Sequence, residues 1–197
     1  MTNTALTADR ILEAAEDVLR RYGPAKANVV DVARALGVSH GSVYRHFPSK
    51  AALRDAVTER WLGAISAPLD AVVSEEAPAV ERLERWLDAL VEAKRSKALD
   101  DPELFATYVQ LTAGARDVVR THVETLLGQL TRIVADGVER GELETHDPAA
   151  SACAVFDATA RFHNPAHVAE WGDPQIDSAY RGVRALVVRA LARDGSA

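Results

Sequence analysis

Cysteine is nearly missing: Cys153 is the only one in 197 residues. No internal disulfide can form, and a reducing, cytoplasmic setting is expected. Long apolar runs are missing too. No stretch approaches the ~20 residues needed to cross a bilayer, so no membrane span is expected. The opening MTNTALTADR lacks the apolar core of an export signal, and no export is expected. Aromatics are only 6% of the chain while alanine is abundant, which favours helices. No P-loop, GxGxxG or HExxH pattern occurs. Catalytic residues, metal ligands and cofactors are therefore not expected, and the chain does not read as an enzyme. His163 and His167 are four apart, but Pro165 lies between them and argues against one regular helix carrying both. Cys153, set among alanines, reads as a small buried side chain.

The net charge of −6 argues weakly against nucleic-acid binding, but it is unevenly spread. Residues 1–60 hold nine Lys/Arg and seven Asp/Glu, a net of +2, and the remainder carries −8. A mildly basic head on an acidic body is compatible with DNA contact confined to the head.

What is present is a short stretch, VVDVARALGVSHGSVYRHF, at residues 29–47. Val29, Val32, Ala33 and Leu36 fall on one helical face. Gly37 stops that helix, since glycine takes a left-handed backbone at little cost. Ser39 can cap a second helix, with Val43 and Phe47 on one side and polar residues elsewhere. Helix, glycine turn and short polar-faced helix form a helix-turn-helix pattern, whose second helix enters the DNA major groove. A preceding helix from Thr7 or Asp9 to about Tyr22, ended by Gly23-Pro24, completes a three-helix unit after a loose end at residues 1–6. Ser49 caps a fourth helix, expected to run through Ser66 and past Pro68 with a kink. Lys50 at its start suits an anion such as a DNA phosphate.

The remaining two thirds reads as further helices opened at Pro78, Asp101-Pro102, about Ala115, Asp147-Pro148 and Asp173-Pro174. Asn164 to Trp171 reads as a loop. The expectation is an all-α fold of about nine helices. Residues 1–48 form the DNA-binding domain, the start of helix four (49–66) is a connector, and 67–197 form an effector-binding and dimerisation domain.

LGVSHGSVYRHFPSKAAL, with the helix before it, resembles the DNA-binding domain of the TetR family of transcriptional regulators. Ala33, Leu36, Gly37-Val38-Ser39, Tyr44, His46-Phe47, Ser49-Lys50 and Leu53 fall at that family's spacings. Asn28 stands where the family usually has threonine; both cap helices. The match is strongest over residues 9–57, and GVERGELETHDPAA (137–150) resembles the junction after the family's long seventh helix. The resemblance implies a homodimer, paired through its last two helices, that binds a palindromic double-stranded DNA operator. It also implies a pocket in each C-terminal domain whose small-molecule effector moves the fourth helix and releases the DNA.

The early, outward part of the recognition helix offers His40, Gly41, Ser42 and Arg45 as base contacts. Ser39, Tyr44, His46 and Lys50 are carried over by the resemblance as phosphate contacts, which set register without reading sequence. Trp61, Trp86, Phe105, Tyr108, His122 and Phe156 are candidates for the effector pocket. Val155, Phe156, Thr159, Tyr180, Val183 and Val187 are candidates for the dimer seam. Two other readings compete: a regulator that answers a protein partner or no ligand, and, more remotely, a helical small-molecule enzyme.

Overall fold

The computed structural model describes residues 5–193. The first four positions of the expected loose end lie outside them. The described residues form ten α-helices and one 3-10 helix, and apart from an isolated bridge between Leu143 and Ala192 they contain no strand. The all-α expectation holds. The count exceeds nine because two short pieces are added, one at 160–163 and one inside the segment read as a loop.

The first helix, α1 (Ala8–Lys26), is capped by Thr7, whose side chain accepts from the Arg10 amide at 3.3 Å. Gly23 breaks it, with φ at 72°, so the regular helix ends where Gly-Pro was expected to end it. α2 (Val29–Leu36) starts at Asn28, whose side chain accepts from the Asp31 amide at 3.0 Å. It ends at Gly37, φ 66°, where the Val38 amide reaches back to the Ala33 carbonyl at 3.0 Å. That is a Schellman closure, and it demands a left-handed residue. α3 (His40–Tyr44) follows after two residues. α4 (Lys50–Val73) begins behind Ser49, which accepts from the Ala52 amide at 3.0 Å, and it continues past Pro68.

The other helices are α5 (Ala79–Asp100), α6 (Pro102–Gly114), α7 (Arg116–Glu139), α8 (Pro148–Ala158), α9 (Ala160–His163) and α10 (Ile176–Leu191). Asp101 and Asp147 cap α6 and α8 through bonds of 3.0 Å to the amides of Leu104 and Ala150. The 3-10 helix spans Pro165–Glu170. The last helix starts at Ile176 and not at Pro174, because Asp173 is spent on a turn, accepting from Gln175 at 2.8 Å.

The chain divides into two compact units, residues 1–62 with 101–120, and 63–100 with 121–197. This differs from a boundary near residue 48 followed by one continuous C-terminal domain. α6 belongs with the N-terminal helices: Leu111 is buried in the same cluster as Ile11, Val18, Val32, Val43 and Val57. Three short helices cannot bury enough apolar surface alone, and α4 and α6 supply the missing cover. Arg60 of α4 fastens α1 by ion pairs to Glu16 at 3.2 Å and Glu13 at 3.5 Å. The second unit has its own core, with Trp86, Leu87, Leu90, Leu130 and Ile133 fully enclosed.

Candidate nucleic-acid interface and effector site

The reading head is built around Val43, which is 0% exposed while its neighbours face solvent. Its burial fixes the rotation of α3. His40, Gly41, Tyr44, Arg45 and His46 are then exposed, and Ser42 and Lys50 are half-buried. The Ser39 hydroxyl caps α3, accepting from the Ser42 amide at 3.2 Å and lying 3.0 Å from the Ser42 hydroxyl. Arg45 donates to the Ser42 Oγ at 3.3 Å. His40 and Tyr44 rings meet edge to face at 6.4 Å. The eight candidates for DNA contact thus lie on one short segment of the first unit.

The stretch Gly37-Val38-Ser39-His40-Gly41 also has the spelling GxSxG. In hydrolases that pattern needs a strand before the serine and a free hydroxyl above a sheet. Here a helix precedes it, and the hydroxyl is engaged as a helix cap.

The six pocket candidates divide between the two units. Trp61, Phe105 and Tyr108 belong to the first unit, where the Tyr108 ring lies 5.7 Å from both Trp61 and Phe105. Trp86, His122 and Phe156 belong to the second. Trp86 is fully enclosed, and its indole donates to the Gln129 side chain at 3.1 Å. Gln129 donates in turn to the Ser66 carbonyl at 2.9 Å, a satisfied core network. Phe156 stacks on His163 at 4.6 Å. His122 is buried, and burial first, then the charge of Lys94, pushes its pKa down to about 3.

Lys94 itself escaped the sequence reading. It is 5% exposed, and burial pulls its pKa down to about 8. The signal was present: Leu83, Leu87, Leu90, Lys94 and Ala98 share one face of α5, so a lysine stands on an apolar stripe. His163 is buried as well, its Nε2 lying 3.3 Å from both the Phe156 carbonyl and the Thr159 hydroxyl. His167 sits apart on the 3-10 helix, 2.8 Å from Glu170. Among the described residues no group of three or more His, Cys, Asp or Glu is placed to hold a metal ion.

The seam candidates lie mostly against their own chain. Val155, Thr159 and Tyr180 are buried within their own chain, and Phe156, Val183 and Val187 are half-buried against it. Thr159 donates to the Val155 carbonyl at 2.9 Å, and Tyr180 to Asp88 at 2.7 Å. These residues mark the inward faces of α8 and α10. The outward faces carry Ala150, Cys153 and Ala154 on α8, and Gly182, Ala185 and Leu186 on α10. Leu186 is 65% exposed, and Cys153 is exposed where a buried side chain was expected. Periodicity finds the apolar face of a helix but does not say whether that face meets its own core or a partner.

A family model described as bacterial regulatory proteins, tetR family, matches residues 11–57. A second, described as tetracyclin repressor-like, C-terminal domain, matches residues 79–184. An uncharacterized HTH-type transcriptional regulator of Mycobacterium tuberculosis is 34% identical over 105 residues, covering 53% of this chain and 50% of its own. An HTH-type transcriptional repressor of the same species is 38% identical over 81 residues, 41% of this chain and 40% of its own. The chain thus spans about half the length, or less, of these curated relatives. Among solved structures, a TetR-family transcriptional regulator from Mesorhizobium loti superposes with a TM-score of 0.74 at 17% identity, over 94% of this chain and 96% of that one. SmeT, the repressor of a Stenotrophomonas maltophilia multidrug efflux pump, gives 0.68 at 17% identity over 96% and 92%. SmeT has also been solved as a complex with triclosan, which superposes at 0.67 and 16% identity over 95% and 92%. At such identity the likeness shows the fold alone, and it agrees with the two family models, which together reach from α1 to α10: the chain belongs to the TetR family of bacterial regulatory proteins.

Proposed function

We propose that the chain is a DNA-binding transcriptional repressor, acting as a homodimer on a palindromic operator and released by a small-molecule effector. One observation carries the reading. α3 and the residue that follows it turn His40, Gly41, Tyr44 and Arg45 outward, while Val43 holds the helix in place from within. His40, Gly41, Ser42 and Arg45 are assigned to base edges, and Ser39, Tyr44, His46 and Lys50 to phosphates. For Ser39 the assignment rests on its hydroxyl proton, which can face a phosphate when Ser42 donates the bond between the two hydroxyls.

A single α3 reads too few base pairs to specify a genomic site, so a second copy is needed. The outward faces of α8 and α10, with Leu186 at their centre, are proposed as the dimer seam in place of the inward residues. A small-molecule effector is supported by SmeT, which has been solved as a complex with triclosan. Effector and operator then prefer different arrangements of the dimer, and each weakens the other by one coupling energy.

The test is a gel shift with the DNA upstream of the chain's own gene, against random DNA at two salt concentrations. A sequence-specific shift is expected. Its absence at every salt overturns the reading. A metabolite screen for loss of the shift tests the effector separately.

A further inference from the structure

In the first unit a dimple of about 20 Å3 lies between α1, α2 and α4. It has room for about one water and takes no small molecule. Most of its lining is buried and apolar, Val18, Val29 and Leu53 among it. Three polar residues also line it: Asn28, which is exposed, and Lys50 and Arg54, which are half-buried. Among the described residues no carboxylate lines it.

Arg54 stands one helical turn after Lys50, so the two cations share a face of α4. Like charges so placed repel each other, and the first turn of a helix disfavours cations as well. Among the described residues neither side chain has an ion-pair or hydrogen-bond partner. Arg60, further along the same helix, is paired with Glu13 and Glu16. The stem of Arg54 thus lies against apolar side chains while its guanidinium is left free. Nothing in the fold offsets the repulsion between the two cations. An anion arriving from outside would.

We infer that Arg54 is a further DNA phosphate contact, gripping the backbone together with Lys50 beside the start of α2. The inference rests on the proposal that the chain binds DNA through α3. The anion is a DNA phosphate because the first helix of a helix-turn-helix crosses the DNA backbone, and α2 is that helix. A guanidinium can hold a phosphate by two parallel bonds, where Lys50 offers a point charge. Arg54 then fixes the register of the head on the duplex and reads no base.

Fluorescence anisotropy of the full chain over a salt series tests this, with the DNA upstream of its own gene and a random duplex as probes. Arg54→Met keeps the stem and removes the charge. It should weaken binding to both duplexes about fivefold near 0.1 M salt and lower the salt slope by about one unit. The ratio of the two affinities should not change. Arg54→Gln, neutral but polar, should behave alike. Arg54→Lys should keep the slope of the parent, since the charge remains. Adding Lys50→Ala to Arg54→Met should lower the slope by about two units in all. Melting curves close to that of the parent show that the variants are folded. An unchanged slope in both neutral variants, or a loss confined to the upstream DNA, overturns the phosphate contact and leaves the repressor reading standing. A slope lowered equally in Arg54→Lys also overturns it, since charge would not be what acts. If the parent binds neither duplex at any salt, the repressor reading falls and this contact falls with it.

Discussion

Arg45 follows the last residue of α3, and its guanidinium donates to Ser42 in a solvent-facing bond. Such a bond is worth little in water and is readily exchanged for a guanine edge. Arg45→Ala should therefore cost about 1–3 kcal/mol on the operator and relax sequence preference. Lys50→Ala should weaken all DNA alike and lower the salt slope by about one unit. Fluorescence anisotropy across a salt series separates the two; equal losses on operator and random DNA for Arg45, or an unchanged slope for Lys50, refute the respective roles. Gly41 offers a cleaner probe. A Cβ there would meet nothing closer than the Ser39 Oγ at 3.7 Å. Alanine should fit the free protein, with a gain of up to about 1 kcal/mol from helix propensity. If Gly41 lets the helix approach the bases, Gly41→Ala will melt no lower yet bind operator more weakly; unchanged affinity removes that role. The caps at Asn28, Ser39, Ser49, Asp101 and Asp147 could be read from sequence because each bonds the amide three residues on. Cys153 and Tyr180 could not be placed, because their burial depends on which helix lies opposite.

Close approach between elements is set by Gly137 on α7. A Cβ at that position would lie 2.6 Å from both the Ala79 Cβ and the Leu143 Cδ1. The Ala79 Cβ is fixed to its backbone and cannot swing away, so α5 would have to shift. The amides of Glu142 and Leu143 both bond the Gly137 carbonyl, at 2.8 and 3.0 Å, and they tie the turn to the same point. Gly137→Ala should thus destabilise the fold by about 1–3 kcal/mol despite its better helix propensity. Urea unfolding with an unchanged m-value and a lower midpoint is the expected result, and a midpoint equal to or above the parent's excludes the clash. In the sequence Gly141 was legible as a stop, since it follows the last periodic residue. Gly137 looked like an ordinary mid-helix glycine because the neighbour that demands it, Ala79, is far away in the chain. α9 was lost for a different reason. Four residues make barely one turn, too few for any period to show.

At the scale of the whole molecule, assembly and pH are linked to what the second unit buries. Leu186 is exposed in the single chain, and a homodimer through α8 and α10 would cover it. Leu186→Glu should then convert the dimer to a monomer in light scattering and weaken operator binding; a parent that is monomeric at micromolar concentration removes the seam. Stability should also depend on pH in a direction fixed by the buried imidazoles. His122 and His163 hold pKa values of about 3 and 4 when folded, lowered chiefly by burial from 6.5. Between those values and 6.5 the unfolded chain binds more protons than the folded one. Unfolding free energy therefore rises with pH through that window, by up to about 1.4 kcal/mol per pH unit for each histidine. The loss begins as pH drops below 6.5, above the range where Glu170 and Asp177, whose pKa values hydrogen bonds lower, would begin to protonate. Glu16, raised by burial, acts in the opposite direction and would partly offset the loss. Lys94 behaves differently because its folded value of about 8 lies below the ordinary 10.5. Its contribution rises between pH 8 and 10.5, leaving the window from 5 to 6.5 to the histidines. Urea midpoints at pH 6.5 and 5.0 should fall clearly for the parent and much less for a His122→Phe, His163→Phe double variant. Equal falls in both proteins would mean that the two imidazoles do not set the acid limit of the fold.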